Sequence, residues 1–177
     1  MKYENLWTFP PANAPNNSTE NIAEIMREQI QYLEEGTGGW IKAAFSELTP
    51  EYLGKERKDL RDANNFYRPV EYAFDIYNTL YNFRVFYLSL LPFYPVRFRL
   101  DDDLMTQVRQ SDMEIEYEEH DTGMYGYESE PIEYVIIRSD NALLSLLKRI
   151  FSADKVQFML YKLRQQSEAA AVQQAAA

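Results

Sequence analysis

Three glutamates and the only histidine of the chain occupy every second position from Glu114 to His120. Side chains two residues apart in a β-strand project from the same face, so a strand here would place Glu114, Glu116, Glu118 and His120 in one row. Carboxylates and an imidazole in one row could bind a divalent cation. We favour a different interpretation, the solvent face of an edge strand, because closed metal sites usually gather ligands from several elements.

These residues belong to a strongly acidic segment. Twelve acidic residues and one arginine lie between Asp101 and Tyr134, a formal charge of -11, so the rest of the chain carries +1 of the total of -10. A field of one sign in one segment attracts basic surfaces and repels nucleic acid. We therefore expect a protein partner with a basic surface, and no nucleic acid. The expected contact residues are Asp101, Asp102, Asp103, Glu114, Glu116, Glu118, Glu119, Tyr117, Tyr125 and Tyr127.

Recognisable catalytic motifs are missing from the sequence. It has no cysteine, no G-x-S-x-G and no H-E-x-x-H pattern, which disfavours a thiol enzyme, a hydrolase or a protease. The glycine-rich turn from Gly36 to Gly39 follows a predicted helix, and it has no lysine of the kind that a phosphate-binding loop uses. It therefore indicates helix termination rather than a phosphate loop. We expect no cofactor, and we lean against an enzyme. A metal-dependent enzyme using Glu114 to His120 stays the alternative.

The many aromatic residues could serve either of two purposes. Fourteen tyrosines and ten phenylalanines could stack on unpaired bases, as in RNA-binding sheets. The accompanying positive face is modest, however, and Arg84, Arg97 and Arg99 precede the acidic segment. Most of these rings are therefore expected to form the core and cross-strand pairs of a sheet.

Length and composition indicate one folded domain. The chain has 177 residues, 46% hydrophobic content and 15% aromatic content, well above that of a disordered acidic chain. We expect an extended arm over residues 1–17, one domain over 18–167 and an Ala/Gln tail over 168–177 that is a frayed helix or disordered. The start of the chain does not resemble a secretion signal and no apolar run is long enough for a membrane span, so we expect a cytoplasmic protein without a membrane partner.

Hydrophobic periodicity predicts the elements. Apolar residues at helical spacing predict a helix over 19–35, and alternating residues predict a strand over 40–47. A first hairpin follows, with Tyr81, Phe83, Val85 and Tyr87 predicted to share one face. A third aromatic-rich strand spans 94–100, and Asp101 to Asp103 are then expected to form a solvated turn.

Alternation inside the acidic segment predicts a second hairpin, with residues 122–129 as its long loop. Ser139 or Asp140 is a candidate N-cap for a helix, and a last helix begins near Ser152. Because the strands are grouped between helices rather than alternating with them, the sequence predicts an α+β fold. Its antiparallel sheet has about five to six strands, with the N-terminal helix and two C-terminal helices packed on one face.

Short fragments carry a resemblance to a family. They are Arg27-Glu28-Gln29, Thr37-Gly38, Tyr94-Pro95-Val96 and Ile150-Phe151-Ser152. Over roughly residues 14–167 their order resembles small uncharacterised bacterial α+β proteins with no assigned activity. The long acidic insert between Asp101 and Glu130 departs from that pattern. The resemblance implies an α+β fold and no particular activity.

Charge alone suggests how such a protein would act. We expect a non-enzymatic bacterial protein that docks a basic partner through residues 101–134, as an immunity protein, antitoxin or inhibitor would, because masking a basic surface requires negative charge on a rigid support. A second copy of the chain is a further candidate partner, through packing of the arm around Trp7 to Pro10.

Overall fold

The computed structural model describes residues 20–48, 70–90, 95–118 and 131–175, and describes side chains within 21–169. Several predicted features lie outside these residues. They are the N-terminal arm, the loop over 122–129 and four candidate site residues, Glu119, His120, Tyr125 and Tyr127.

The described residues form an α+β fold, as the sequence predicts. The elements are α1 (Glu20–Gly36), β1 (Lys42–Glu47), β2 (Val70–Tyr77), β3 (Asn82–Leu90), β4 (Val96–Arg99), α2 (Asp102–Val108), β5 (Ile115–Glu118), β6 (Ile132–Ile137), α3 (Asp140–Ser152) and α4 (Asp154–Ala175). All strand pairs are antiparallel and form one six-stranded sheet in the order β1-β2-β3-β4-β6-β5. The first four strands are a meander, and β6 then inserts between β4 and β5.

One face of the sheet, called the core face, packs with the helices into a single hydrophobic core. Helix α1 contributes Ile22, Ile25 and Met26, which its helical period places on one side, and α3 contributes all four of its leucines. Four fully buried rings lie at the centre of this core: Phe74, Phe86, Phe98 and Phe151. Among the described residues no helix is long and apolar enough to cross a membrane.

The end of α1 follows from its glycines. The backbone N–H groups of Thr37 and Gly39 donate to the carbonyls of Leu33 and Glu34, which completes the last turn. Gly38 and Gly39 have φ angles of 61° and 81°, in the left-handed region that glycine adopts without strain. The prediction that Gly36 to Gly39 terminate the helix is therefore confirmed.

The first hairpin forms as predicted, but the face assigned to Tyr87 is wrong. Strand β3 has one extra residue at a β-bulge, because Phe74 pairs with Phe86 whereas Asp75 pairs with Arg84. The bulge reverses the alternation beyond Val85. Tyr87 therefore leaves the face of Phe83, while Phe86 takes the buried position.

The Asp101 to Asp103 run is not the predicted solvated turn, since it begins α2. The Asp101 side chain caps this helix by accepting the N–H of Leu104 at 3.0 Å, and Asp102 and Asp103 lie in the first turn. Leu104, Met105 and Val108 are buried beneath it. At the C-terminal end, Ser139, one of the two predicted candidates, is the N-cap of α3, and α4 keeps the Ala/Gln tail helical as far as Ala175.

Candidate functional site

Three of the predicted site glutamates lie together along β5, which is an edge strand of the described sheet: two belong to the strand and Glu114 directly precedes it. Glu114, Glu116 and Glu118, called here the acidic edge, alternate with Ile115 and Tyr117 along this strand. The three glutamates therefore project from the face opposite the core, called the polar face. This arrangement is the single row of carboxylates that the sequence predicts, apart from His120, which lies outside the described residues.

Two of the three glutamates of the acidic edge form ion pairs with described arginines from other parts of the chain. Arg138 donates two hydrogen bonds to Glu114, at 2.7 and 2.6 Å, and this fork of bonds lowers the pKa of the carboxyl group from its ordinary value. Arg97 lies over the ring of Tyr134 and donates to Glu116 at 2.9 Å. Glu114 and Glu116 remain about half exposed, so both ion pairs are in contact with solvent.

Successive residues of β5 direct their backbone N–H and C=O groups to opposite sides of the strand. The N–H of Ile136 donates to the carbonyl of Glu114 at 2.9 Å, and these two residues lie opposite each other. Since hydrogen-bonded and non-bonded pairs alternate in an antiparallel ladder, the glutamates point their backbone groups toward β6. Ile115 and Tyr117 therefore point theirs away from it. No described strand lies on that outer side of β5.

Tyr117 is the exposed aromatic residue of this strand. Its side chain is 54% exposed and lies on the same face as Glu133, its pairing partner on β6. Arg109 donates to Glu133 and also hydrogen-bonds to Tyr117, and these bonds raise the pKa of the guanidinium. Tyr117 is thus held beside an ion pair with much of its ring open to solvent.

The second acidic group consists of Asp101, Asp102 and Asp103, called here the α2 aspartates. Lys155, at the start of α4, donates to Asp101 at 2.6 Å and to Asp103 at 3.0 Å. Partial burial lowers the pKa of Lys155, but these two hydrogen bonds outweigh it, so the pKa lies above the ordinary lysine value. The Asp103 side chain is still 80% exposed.

The sheet topology places the α2 aspartates and one residue of the acidic edge, Glu118, at the same end of the sheet. Strands β4 and β5 are both antiparallel to β6, so they run in the same direction and end at the same end of the sheet. The α2 aspartates follow β4 directly, and Glu118 ends β5. Residues 15 or more positions apart in sequence therefore share this end.

Much of this negative charge is matched by the chain's own cations. The described part of residues 101–134 contains eight carboxylates, of which five form ion pairs: Asp101, Asp103, Glu114, Glu116 and Glu133. Asp102, Asp112 and Glu118 form none with a described residue. The local field is therefore weaker than the sequence charge of -11 indicates, and its unmatched part includes Glu118 and Asp102.

The polar face also carries Arg84, Arg97 and Arg99, the arginines next to the aromatic residues considered for RNA binding. The Tyr87 ring lies between Arg84 and Arg99, at 4.9 and 5.0 Å from their guanidinium carbons. Arg84 also donates two hydrogen bonds to Asp75, at 2.8 and 3.0 Å. With Arg97 bound to Glu116, two of the three arginines are engaged with carboxylates, which is unfavourable for phosphate binding.

The cation partners are the site residues that sequence reasoning missed. Arg97, Arg138 and Lys155 each come from another element than the carboxylate they bind, between 19 and 54 positions away. No local pattern connects such residues. The only available signal was the position of Arg97 on the wet side of a strand that precedes the acidic segment.

The metal-binding alternative can be compared with the structure only at Glu114, Glu116 and Glu118, because His120 lies outside the described residues. Among the described residues no three histidine, aspartate or glutamate side chains come together in a group that could hold a metal ion. Glu114 and Glu116 also direct their oxygens to arginines rather than to a shared point.

Comparisons with protein-family models, with curated proteins and with solved structures found no match. The resemblance to small bacterial α+β proteins therefore stays a prediction.

Proposed function

We propose that this protein is a non-enzymatic binding module that docks a basic protein partner through the acidic edge and the α2 aspartates. The observation that supports it best is the parallel direction of β4 and β5, through which Asp102, Asp103 and Glu118 share one end of the sheet. Regular backbone elements hold these carboxylates, so little conformational entropy is lost when a partner binds them.

The ion pairs within the chain are compatible with docking. Exposed salt bridges contribute only about 0–1 kcal/mol each, because solvent and salt screen them. A carboxylate also has room for more than one donor. A partner's lysine or arginine can therefore add to Glu116 or Asp103, or replace Arg97 or Lys155, at small cost.

A partner with clustered positive charge fits this surface. Complementary charge would speed association and orient the complex, while like-charged surfaces would be excluded. An immunity, antitoxin or inhibitor role in the cytoplasm is the form of this function that we propose, since such proteins mask a basic surface. The metal-binding alternative would instead make the interaction depend on a divalent cation.

The experiment compares capture of proteins from the native host's lysate by three forms of the chain. The first is unchanged, the second has Asp102→Asn, Asp103→Asn, Glu116→Gln and Glu118→Gln, and the control has Glu34→Gln, Glu35→Gln, Glu47→Gln and Glu168→Gln. Both variants lose four negative charges, but only one loses them at the proposed surface.

We expect a basic partner to be captured by the unchanged chain and by the control, and to be lost by the surface variant and by rising salt. Equal capture by all three forms would overturn the proposal. Loss of the partner on addition of EDTA would point to the metal alternative instead.

A further inference from the structure

We propose that β5 binds its partner by strand addition, and that the added strand carries lysine or arginine at alternate positions. This inference rests on the proposed function and specifies both the mode of docking and the chemistry of the partner. It starts from the outer side of β5, where Ile115 and Tyr117 direct their backbone N–H and C=O groups away from β6. Such an edge is a ready template for another extended chain.

The glutamates of β5 determine which side chains an added strand can carry. In an antiparallel partner strand, the residues opposite Glu116 and Glu118 would project from the same face, with Cβ atoms about 4.5–5.5 Å from theirs. Basic residues at these two positions would form cross-strand ion pairs. The intervening residue would lie on the core-face side, beside Tyr117, and would therefore be apolar or aromatic.

The same geometry disfavours a second copy of this chain as the occupant. If two β5 strands paired antiparallel about Tyr117, Glu116 of each copy would lie opposite Glu118 of the other. Like charges directly opposite each other destabilise a strand pair. The other edge of the sheet, β1, lacks this selectivity because it carries both Lys42 and Glu47.

The probe is a capped heptapeptide in which lysine and valine alternate. Two control peptides accompany it: one carries N-methyl groups on the valines, which removes the N–H groups that would bond to β5, and one has glutamate in place of lysine. Binding to the full chain is measured by isothermal titration calorimetry at low and moderate salt. Protection of the Ile115 and Tyr117 amides is followed by hydrogen exchange.

One variant isolates the backbone contribution. Tyr117→Pro removes an N–H that points away from β6, so the β5–β6 ladder keeps its bonds. Tyr117→Thr keeps that N–H and changes only the side chain. A circular dichroism spectrum and an unfolding curve confirm that each variant is folded, and Glu118→Lys, which leaves the backbone unchanged, is a second test.

We expect the lysine–valine peptide to bind the unchanged chain and to protect both amides. Its affinity should fall about tenfold or more with N-methylation or with Tyr117→Pro, as expected for one or two lost backbone hydrogen bonds, and also with Glu118→Lys. Tyr117→Thr should retain most of the binding.

Other results overturn the inference in separable ways. Equal binding of the N-methylated peptide would mean docking by charge without strand addition, which leaves the proposed function standing. Equal binding of the glutamate peptide would refute the selection by charge. Absence of binding by the lysine–valine peptide would refute strand addition, while the lysate experiment would still decide the proposed function.

Discussion

At the scale of single residues, Asp101 has two roles in one side chain. Its Oδ1 atom accepts the N–H of Leu104, which caps α2, and also the Nζ of Lys155, which connects α2 to α4. In return, Gln107 of α2 accepts the N–H of Lys155 at the start of α4. This end of the molecule is therefore fixed by a small polar network rather than by apolar packing alone.

Two substitutions of Asp101 separate these roles. Asp101→Ala removes both the cap and the ion pair, and we expect a loss of about 1–2 kcal/mol in the free energy of unfolding. Asp101→Asn removes the charge but keeps a side chain that caps well, so its loss should be about 0.5 kcal/mol or less. Urea unfolding curves measure both. Equal losses would mean that the charge, and not the cap, stabilises this end.

At the scale of elements, the β-bulge in β3 decides which aromatic rings form the core. Phe86 is 1% exposed and stacks on Phe74, with ring centroids 5.0 Å apart. Its neighbour Tyr87 lies on the polar face between two guanidinium groups. A regular strand would have placed Tyr87 with Phe83 on the core face and Phe86 outside.

Alanine substitutions at these neighbours test the bulge. Phe86→Ala should lower the free energy of unfolding by about 3–5 kcal/mol, because it removes a buried ring and leaves a cavity. Tyr87→Ala should cost only about 1–2 kcal/mol, from two cation–π contacts at a partly exposed position. Chemical denaturation of both variants gives the comparison. The reverse order would support a regular strand without the bulge.

The elements that the sequence predicts well are those with an uninterrupted period. Helix α1, the first hairpin and an α3 cap at Ser139 or Asp140 follow from local spacing, and the structure shows Ser139 as the cap. The bulge was not predictable, because it depends on pairing between two strands rather than on the order of residues in one. Helix α2 was missed although Leu104, Met105 and Val108 have helical spacing, since three consecutive aspartates are equally typical of a turn.

In the candidate site, too, the features set by local alternation were predictable and those set by strand order were not. Alternation predicts that the glutamates of β5 share a face, which is confirmed for Glu114, Glu116 and Glu118. Their matching by Arg97 and Arg138 depends on strand order, with β6 inserted between β4 and β5. Sequence charge therefore overestimates the field that a partner meets.

At the scale of the whole molecule, the acidic edge also bears on self-association. Among the strands that the structure describes, β5 is an edge of the sheet, and unprotected edge strands commonly pair with copies of themselves. Under the proposed mode of binding, alternating negative charge on this strand would oppose such pairing while still admitting a basic chain. Negative charge on β5 would thus disfavour pairing with copies of the chain and favour pairing with a basic strand.

Removing that charge should expose the edge to its own copies. We expect Glu116→Gln with Glu118→Gln to increase concentration-dependent association at neutral pH, because uncharged side chains can face each other across two β5 strands. Sedimentation velocity over a range of concentrations measures it, with Glu35→Gln and Glu168→Gln as a control of equal charge change. Adding Tyr117→Pro to the double glutamine variant should reverse the association, since it removes an outward N–H of the edge. Association that increases equally in the control would reflect the lower net charge rather than this strand, and would remove the reason for assigning the glutamates a protective role.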